Sequence, residues 1–314
     1  EFTMSDIETT TYTSNVSSSL KQSILDTIIN IAPTDCVFYN SIGKGTAKAK
    51  LEEWEEDTLQ AAANNKQLEG LDVTAGTVTY PQRSSNYTQI SYKVFKISDT
   101  FERVDKVGRA SEIKYQTARH MAMLKRDMEY DMLNTTASHA GDGTTTNPRA
   151  SKGAKGFITD NLYSFSNTQA TSNLLTEDLF NDRMDAAWTD GGETTLVLTP
   201  IVIKKQITKF NGNNKLTVTE SGDAKKVINT VDVYEGDSGT VTIKPSRFIS
   251  TDNTYYDWIL FLDKSMWDVL FLKKINVEKL ARNGPATRVM IDTEYTLRCK
   301  SDKANAAMSN VYNA

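Results

Sequence analysis

Glu52-Glu53-Trp54-Glu55-Glu56-Asp57, then a polar run through Asn64-Asn65, Gly70, Gly76, Pro81 and Ser84-Ser85, then Asn86-Tyr87-Thr88-Gln89-Ile90: this part of the chain decides the fold. It spends roughly 40 residues going out and back between two strand-like segments, whereas loops beyond roughly 12–15 residues are usually functional or disordered. Such an arm suits reaching a neighbouring subunit and is poor material for a pocket.

The flanks define how the arm leaves the body. On the outgoing side Ala47, Ala49 and Leu51 alternate with Lys48, Lys50 and Glu52. On the return Ile90, Tyr92 and Val94 share one face, and the apolar set then moves to Phe95 and Ile97. A one-residue slip turns side chains to the other face, so a bulge or bend is expected near Val94-Phe95. Asp99 followed by Glu102 reads as a capping box opening a short helix that ends near Gly108. A long helix is expected over 110–133, about 36 Å at 1.5 Å per residue. Its core stripe would be Ile113, Thr117, Met121, Leu124, Met128 and Met132.

Outside this region, residues 1–30 are rich in Ser and Thr, with a short apolar anchor at Leu20, Ile24, Leu25, Ile28 and Ile29. Glu1-Phe2-Thr3 precedes Met4, the expected natural start. Residues 134–156 read as a mobile loop. Thr176 is the expected N-cap of a helix stapled by Leu175 and Phe180 and stopped at Gly191-Gly192. A strand over 194–198 meets Thr199-Pro200, a cap with Pro at the first helical position. That helix carries Ile203, Ile207 and Phe210 and ends at Gly212. After an Asn/Gly-rich loop at 211–224, strands are expected near 226–234, 239–244 and 257–263. The best alternation places Val289, Ile291, Thr293, Tyr295, Leu297 and Cys299 on one core-facing side. Strands and helices without regular βαβ alternation argue for an α+β class.

Composition bounds the function. The 314 residues allow one large or two ordinary domains. An apolar share of 39%, a charged share of 24% and a net charge of −4 match a globular protein without a basic nucleic-acid footprint. No apolar run approaches the ~18 residues of a membrane helix. Cys36 and Cys299 are the only cysteines; one long-range bridge is conceivable, but two reduced thiols and an intracellular origin fit better.

Four motifs offer chemistry. Gly236-Asp237-Ser238-Gly239 looks like a serine-protease nucleophile segment, but the bases available are His120, in the long helix, and His139, in a loop. Asp-Ser-Gly between strands is also ordinary turn chemistry. His139 with Asp142 supplies two ligands where zinc uses three or four. Gly153-Ala154-Lys155-Gly156 lacks the spacing and Lys-Ser/Thr pair of a phosphate loop. Glu52, Glu53, Glu55, Glu56 and Asp57 could form a solvated charged strand, an electrostatic contact with another chain, or an acid/base or calcium site.

The order of several short motifs resembles the major head proteins of tailed bacteriophages. They are Ser41-Ile42-Gly43-Lys44, Glu53-Trp54-Glu55-Glu56-Asp57-Thr58-Leu59, Glu69-Gly70, Arg83 and Asn86-Tyr87-Thr88-Gln89-Ile90. Gly108-Arg109-Ala110-Ser111-Glu112, Tyr115-Gln116, Leu124-Lys125-Arg126-Asp127-Met128-Glu129, Val231-Asp232-Val233-Tyr234, Glu294-Tyr295-Thr296-Leu297 and Asn305-Ala306-Ala307 continue the series.

That resemblance implies an α+β, Hong Kong 97-like capsid fold. Residues 1–32 would be an N-terminal arm. Residues 33–175 would form a peripheral domain with an extended loop at 46–97 and a spine helix at 110–133. Residues 176–283 would be the axial domain, and 284–314 the return strand of the peripheral domain and the C-terminus. The implied function is a non-enzymatic head protein that self-assembles around double-stranded DNA in the bacterial cytoplasm and ends in the virion. Its partners would be copies of itself in pentamers and hexamers, a separate scaffolding protein, a portal and decoration proteins, with non-specific DNA contact, no membrane and no cofactor. Candidate contacts between subunits are Glu53, Trp54, Glu55, Glu56, Asp57, Glu69, Arg83, Asn86, Tyr87, Gln89, Arg109, Glu112 and Arg126. The alternatives are an encapsulin-type cellular shell and, remotely, a hydrolase using Ser238.

Overall fold

The computed structural model describes residues 35–312 except 60, 71, 73–75, 77, 79, 106–109, 166–172, 211–231 and 250–255. The expected N-terminal arm, Gly108, Arg109, the loop at 211–224 and most of the strand at 226–234 lie outside these residues.

In chain order the elements are α1 (Val37–Ser41), β1 (Gly43–Thr46), β2 (Leu51–Glu56), β3 (Gln82–Tyr87), β4 (Gln89–Ser98), α2 (Asp99–Arg103) and α3 (Glu112–Asn134). There follow α4 (Ala154–Phe157), β5 (Leu162–Ser164), α5 (Glu177–Thr189), β6 (Leu196–Thr199), α6 (Ile201–Ile207), β7 (Val233–Gly236) and β8 (Gly239–Pro245). The last strands are β9 (Tyr256–Leu262), β10 (Trp267–Leu280), β11 (Ala286–Cys299) and β12 (Ala306–Tyr312). They form a four-stranded sheet ordered β1-β10-β11-β4, a six-stranded sheet ordered β5-β12-β9-β6-β8-β7, and the two-stranded hairpin β2-β3.

Two apolar clusters hold the body together. One joins Phe38, Met128, Met132, Leu133, Phe157, Trp267, Tyr295 and Leu297 to Leu198 and Leu260, so it is shared by both large sheets. The other packs Phe180, Met184, Ile203 and Ile207 of α5 and α6 on Val241, Ile259 and Phe261. In β11, Val289, Ile291, Thr293, Tyr295, Leu297 and Cys299 are all buried, as their alternation predicts.

Several local expectations hold. The Thr176 hydroxyl accepts the Leu179 N–H at the start of α5, and Leu175 and Phe180 are buried. The helix stops where Gly191 takes φ +91°, a value open to glycine. The long helix runs Glu112–Asn134 against the expected 110–133; its cap, not foreseen from sequence, is Ser111, whose hydroxyl accepts from the Lys114 N–H.

Other expectations are corrected. Ser98, not Asp99, caps α2, which ends at Arg103. Glu102 instead serves α3: its carboxylate accepts from the Ser111 hydroxyl at 2.7 Å and from the Glu112 N–H at 3.0 Å. Pro200 is itself the N-cap of α6, one residue later than expected. Only the second half of α3 is core: Leu124, Met128 and Met132 are buried, while Ile113, Thr117 and Met121 are half-buried. The supposed mobile loop ends early, because Ser151 and Gly153–Ile158 are buried beside α3. A Cβ on Gly153 would stand 2.7 Å from the Asp131 carbonyl, so glycine lets the two backbones approach.

The bulge expected at Val94-Phe95 is absent. β4 pairs with β11 without a slip from Gln89↔Tyr295 to Ser98↔Ala286. The irregularities lie in β10, at Phe271–Lys273 and Lys273–Asn276. β4 keeps its register by turning Gln89, Ser91, Lys93, Phe95 and Ile97 inward and leaving Ile90, Tyr92 and Val94 exposed. The expected boundary at 283/284 divides the β10–β11 pair, and β12 lies in the six-stranded sheet rather than the four-stranded one.

Candidate assembly surface

The hairpin begins at a tight corner. The Ala47 N–H donates to the Phe271 carbonyl at 3.0 Å, and Glu52 accepts from the Lys48 and Ala49 N–H groups. β2 and β3 then pair from Leu51↔Tyr87 to Glu56↔Gln82. Pairing therefore resumes at Gln82, inside the stretch read from sequence as polar outer loop.

The base is moored by side chains of the return strand. Asn86 is fully buried, and its Nδ2 donates to the carbonyls of Leu297 at 2.7 Å and Lys152 at 3.0 Å. Its Oδ1 accepts the Lys152 N–H at 2.8 Å. The Thr88 hydroxyl donates to Glu294 at 2.7 Å, and Glu294 is ion-paired with Arg149. Gln89 donates to Asp131 of α3 at 2.6 Å and accepts from Ser151 N–H. Trp54 is half-buried, with its ring 6.1 Å from that of Phe157.

This places the candidates in different roles. Asn86, Gln89 and Glu112 make hydrogen bonds inside the chain; Glu112, for example, accepts from Gln116 at 2.6 Å. Trp54 and Tyr87 are half-buried at the hairpin base, and Arg126 lies over the Phe248 ring at 5.7 Å. Glu53, Glu55, Asp57, Glu69 and Arg83 are exposed, and Glu56 is half-buried. Arg83 lies 3.4 Å from Glu53 and 3.8 Å from Glu55. Exposed pairs of this kind contribute little stability, so the charges remain open to other partners. Arg109 lies outside the described residues.

Between Glu56 and Gln82 the described residues are all exposed. Leu59, Leu68, Val78 and Tyr80 are exposed. An open cleft of about 680 Å³ separates Asp57, Val78 and Tyr80 from Asp160, Asp302 and Lys303 of the body. Sequence reading missed these apolar groups, since polar neighbours mask them; it grouped Ile90, Tyr92 and Val94 on one face, and that face is the exposed one.

The residues of the chemical motifs lie in turns, helices and hydrogen bonds of the fold. Asp237-Ser238 is the two-residue turn between β7 and β8, closed by Gly236↔Gly239 with Gly239 at φ +132°. His120 stacks on Phe95 in α3, and His139 bridges Ala150. Asp142 accepts from the Thr144 N–H. Lys155 is buried, donating to Asn134 Oδ1 at 2.6 Å and the Ile249 carbonyl at 2.7 Å; burial lowers its pKa to about 8. Both thiols are buried and free. Among the described residues no three His, Cys, Asp or Glu gather into a metal-binding group, and no helix is long and apolar enough to cross a membrane.

The fold recurs in known shells. The capsid of a native GTA particle is 11% identical with TM-score 0.63, over 96% of this chain and 100% of that one. The holo-SrpI encapsulin complex from Synechococcus elongatus PCC 7942 is 12% identical with TM-score 0.61, over 94% of each chain. At such identities the likeness is one of fold, the Hong Kong 97-like fold, and it does not separate phage heads from encapsulins. Sequence does separate them. The major capsid protein of Escherichia phage Phieco32 is 31% identical over 118 residues, 37% of this chain, and the match spans only 34% of that relative. The model of the SU10 major capsid protein family matches residues 6–312, nearly the whole length, and the chain belongs to that family of phage capsid proteins.

Proposed function

We propose that this chain assembles with copies of itself into the icosahedral head that encloses the double-stranded DNA of a tailed bacteriophage. The observation that carries the reading is the hairpin: its base is fixed by the buried Asn86, while its outer part exposes Leu59, Leu68, Val78 and Tyr80. A segment built this way loses apolar surface to water as a monomer and gains by covering a neighbour. In this reading the four-stranded sheet and α3 form the peripheral region with α3 as its spine. The six-stranded sheet with α5 and α6 forms the axial region around the capsomer centre. Glu53, Glu55, Glu56, Asp57, Glu69 and Arg83 lie at subunit contacts and fix register more than affinity. The role is structural, without catalysis; scaffolding, portal and decoration proteins and non-specific DNA contact complete it.

Electron microscopy of the purified full chain tests the proposal, with shells or pentameric and hexameric capsomers as the expected outcome. Lone monomers under all assembly conditions would overturn it. One second reading shares the fold, a cellular shell around enzyme cargo. Co-purified cargo protein in shells free of DNA would establish that instead.

A further inference from the structure

The chain carries a net charge of −4, yet its charges are sorted in space. Along α3 the stretch Lys114–Arg126 holds Lys114, Arg119, Lys125 and Arg126 and no carboxylate. The acids of this helix lie outside that stretch and are engaged elsewhere. Glu112 is buried and accepts from Gln116, and Asp127 pairs with Lys93 of β4. Glu129 accepts the Phe38 and Tyr39 N–H groups, and Asp131 accepts from Gln89. On a helix of 3.6 residues per turn the four basic residues fall on one side, away from the buried Leu124. Lys114, Ala118 and Arg119 are exposed there, and Ala122, Lys125 and Arg126 are half-buried. Among the described residues none of the four cations is paired with a carboxylate.

We propose that this side of α3, through Lys114, Arg119, Lys125 and Arg126, binds the phosphate backbone of the packaged double-stranded DNA. The inference rests on the reading of a DNA-enclosing shell and adds to it the residues that meet the contents. Lys114 and Arg126 stand about 18 Å apart along the axis of α3. A duplex presents one negative charge per about 1.7 Å of its own axis, so the four cations find phosphates wherever the helix lies on it. Arg126 is already held in place, its guanidinium over the Phe248 ring at 5.7 Å. A guanidinium fixed in this way can grip a phosphate with two parallel hydrogen bonds. Phosphate contacts carry no sequence information, which suits contents of any sequence. A protein partner fits the face less well. Protein interfaces draw their energy from buried anchors such as Trp and Tyr set in packed pockets, whereas no large apolar side chain is exposed between Lys114 and Arg126. Interfaces with DNA are polar and strongly positive.

The test measures binding of the unassembled full-length chain to a short random-sequence DNA duplex over a series of salt concentrations. The slope of log K on log salt should be about −0.9 for each phosphate neutralised. The variant Lys114→Gln/Arg119→Gln/Lys125→Gln keeps Arg126 in its stack; it should bind at least tenfold more weakly at low salt, with a slope flatter by about 2 to 3. Adding Arg126→Gln should flatten the slope by about one more. The control Lys205→Gln/Lys209→Gln/Lys244→Gln removes as much exposed charge away from α3 and should keep the wild-type slope. Equal losses in the two triple variants would trace binding to net charge alone and overturn the proposal, as would a wild-type slope in the α3 variant. Shell assembly separates this inference from the reading beneath it. The α3 triple variant, with wild-type monomer melting, should still form shells. Loss of shells from that variant alone would make the face a protein contact, overturning the inference and leaving the assembly reading in place. No shells from the wild-type chain would overturn both.

Discussion

Asn86 and Leu297 meet across 211 positions of sequence: the Asn86 side-chain amide donates to the Leu297 carbonyl at 2.7 Å, fully buried, where the hairpin leaves the body. The same side chain also serves both polar backbone groups of Lys152. Asn86→Ala leaves these groups without partners, at a cost of about 1–3 kcal/mol. Hydrogen exchange at the Lys152 amide and at Leu51–Glu56 should speed up, with less change in β9. Unchanged exchange at the hairpin base would show that the mooring lies elsewhere.

Glu129 should make stability depend on pH. Its two carboxylate oxygens accept the Phe38 and Tyr39 N–H groups, each at 2.7 Å, so α3 caps α1. Burial nonetheless outweighs these donors and raises its pKa from 4.5 to about 7. Between those values the folded state holds a proton that the unfolded state has released, so this group's contribution falls as pH rises from about 4.5 to 7. Urea midpoints across that window should show the decline in wild type and a flatter profile in Glu129→Gln. The difference should be on the order of 1–3 kcal/mol.

Limited proteolysis of unassembled protein should cut first within residues 57–81, whose described residues are all exposed. Assembled shells should resist cleavage there. Early cutting within β10 or β11 instead would contradict the mooring.

Gly192 sits against the backbone of Ala304, where an added Cβ would lie 2.4 Å from the carbonyl oxygen. Gly192→Ala must push apart the end of α5 and the approach to β12, at about 1–3 kcal/mol. Thermal melting of the monomer measures this loss directly.

What was readable in the sequence depended on where a strand or helix met the core. β11 announced itself because one face is fully buried and the other, Met290 apart, is polar. The Thr176 cap, the Gly191-Gly192 stop and the Asp237-Ser238 turn are local chemistry and needed no tertiary information. β10 and β12 went unread for opposite reasons. β10 is irregular, with two register breaks and a largely exposed far half. β12 buries both faces with small residues such as Ala306 and Ala307, which leaves no alternation to detect. For β4, alternation grouped Ile90, Tyr92 and Val94 correctly but carried no information on which group faced the core. The contact candidates divided in the same way: the carboxylates of Glu53 and Glu55 are on the surface, but nothing near Asn86 in sequence identifies its partner at Leu297.

β12 is not an edge: it lies between β5 and β9 in the six-stranded sheet, and Ala306, Ala307 and Met308 are wholly buried there. A ribosome must therefore have made β12 before that sheet can close. Until then β9 lacks a neighbour, and the cluster that both sheets share is incomplete. A subunit whose synthesis has not yet passed β12 thus lacks a complete six-stranded sheet, and any contact built on that sheet has to wait for it.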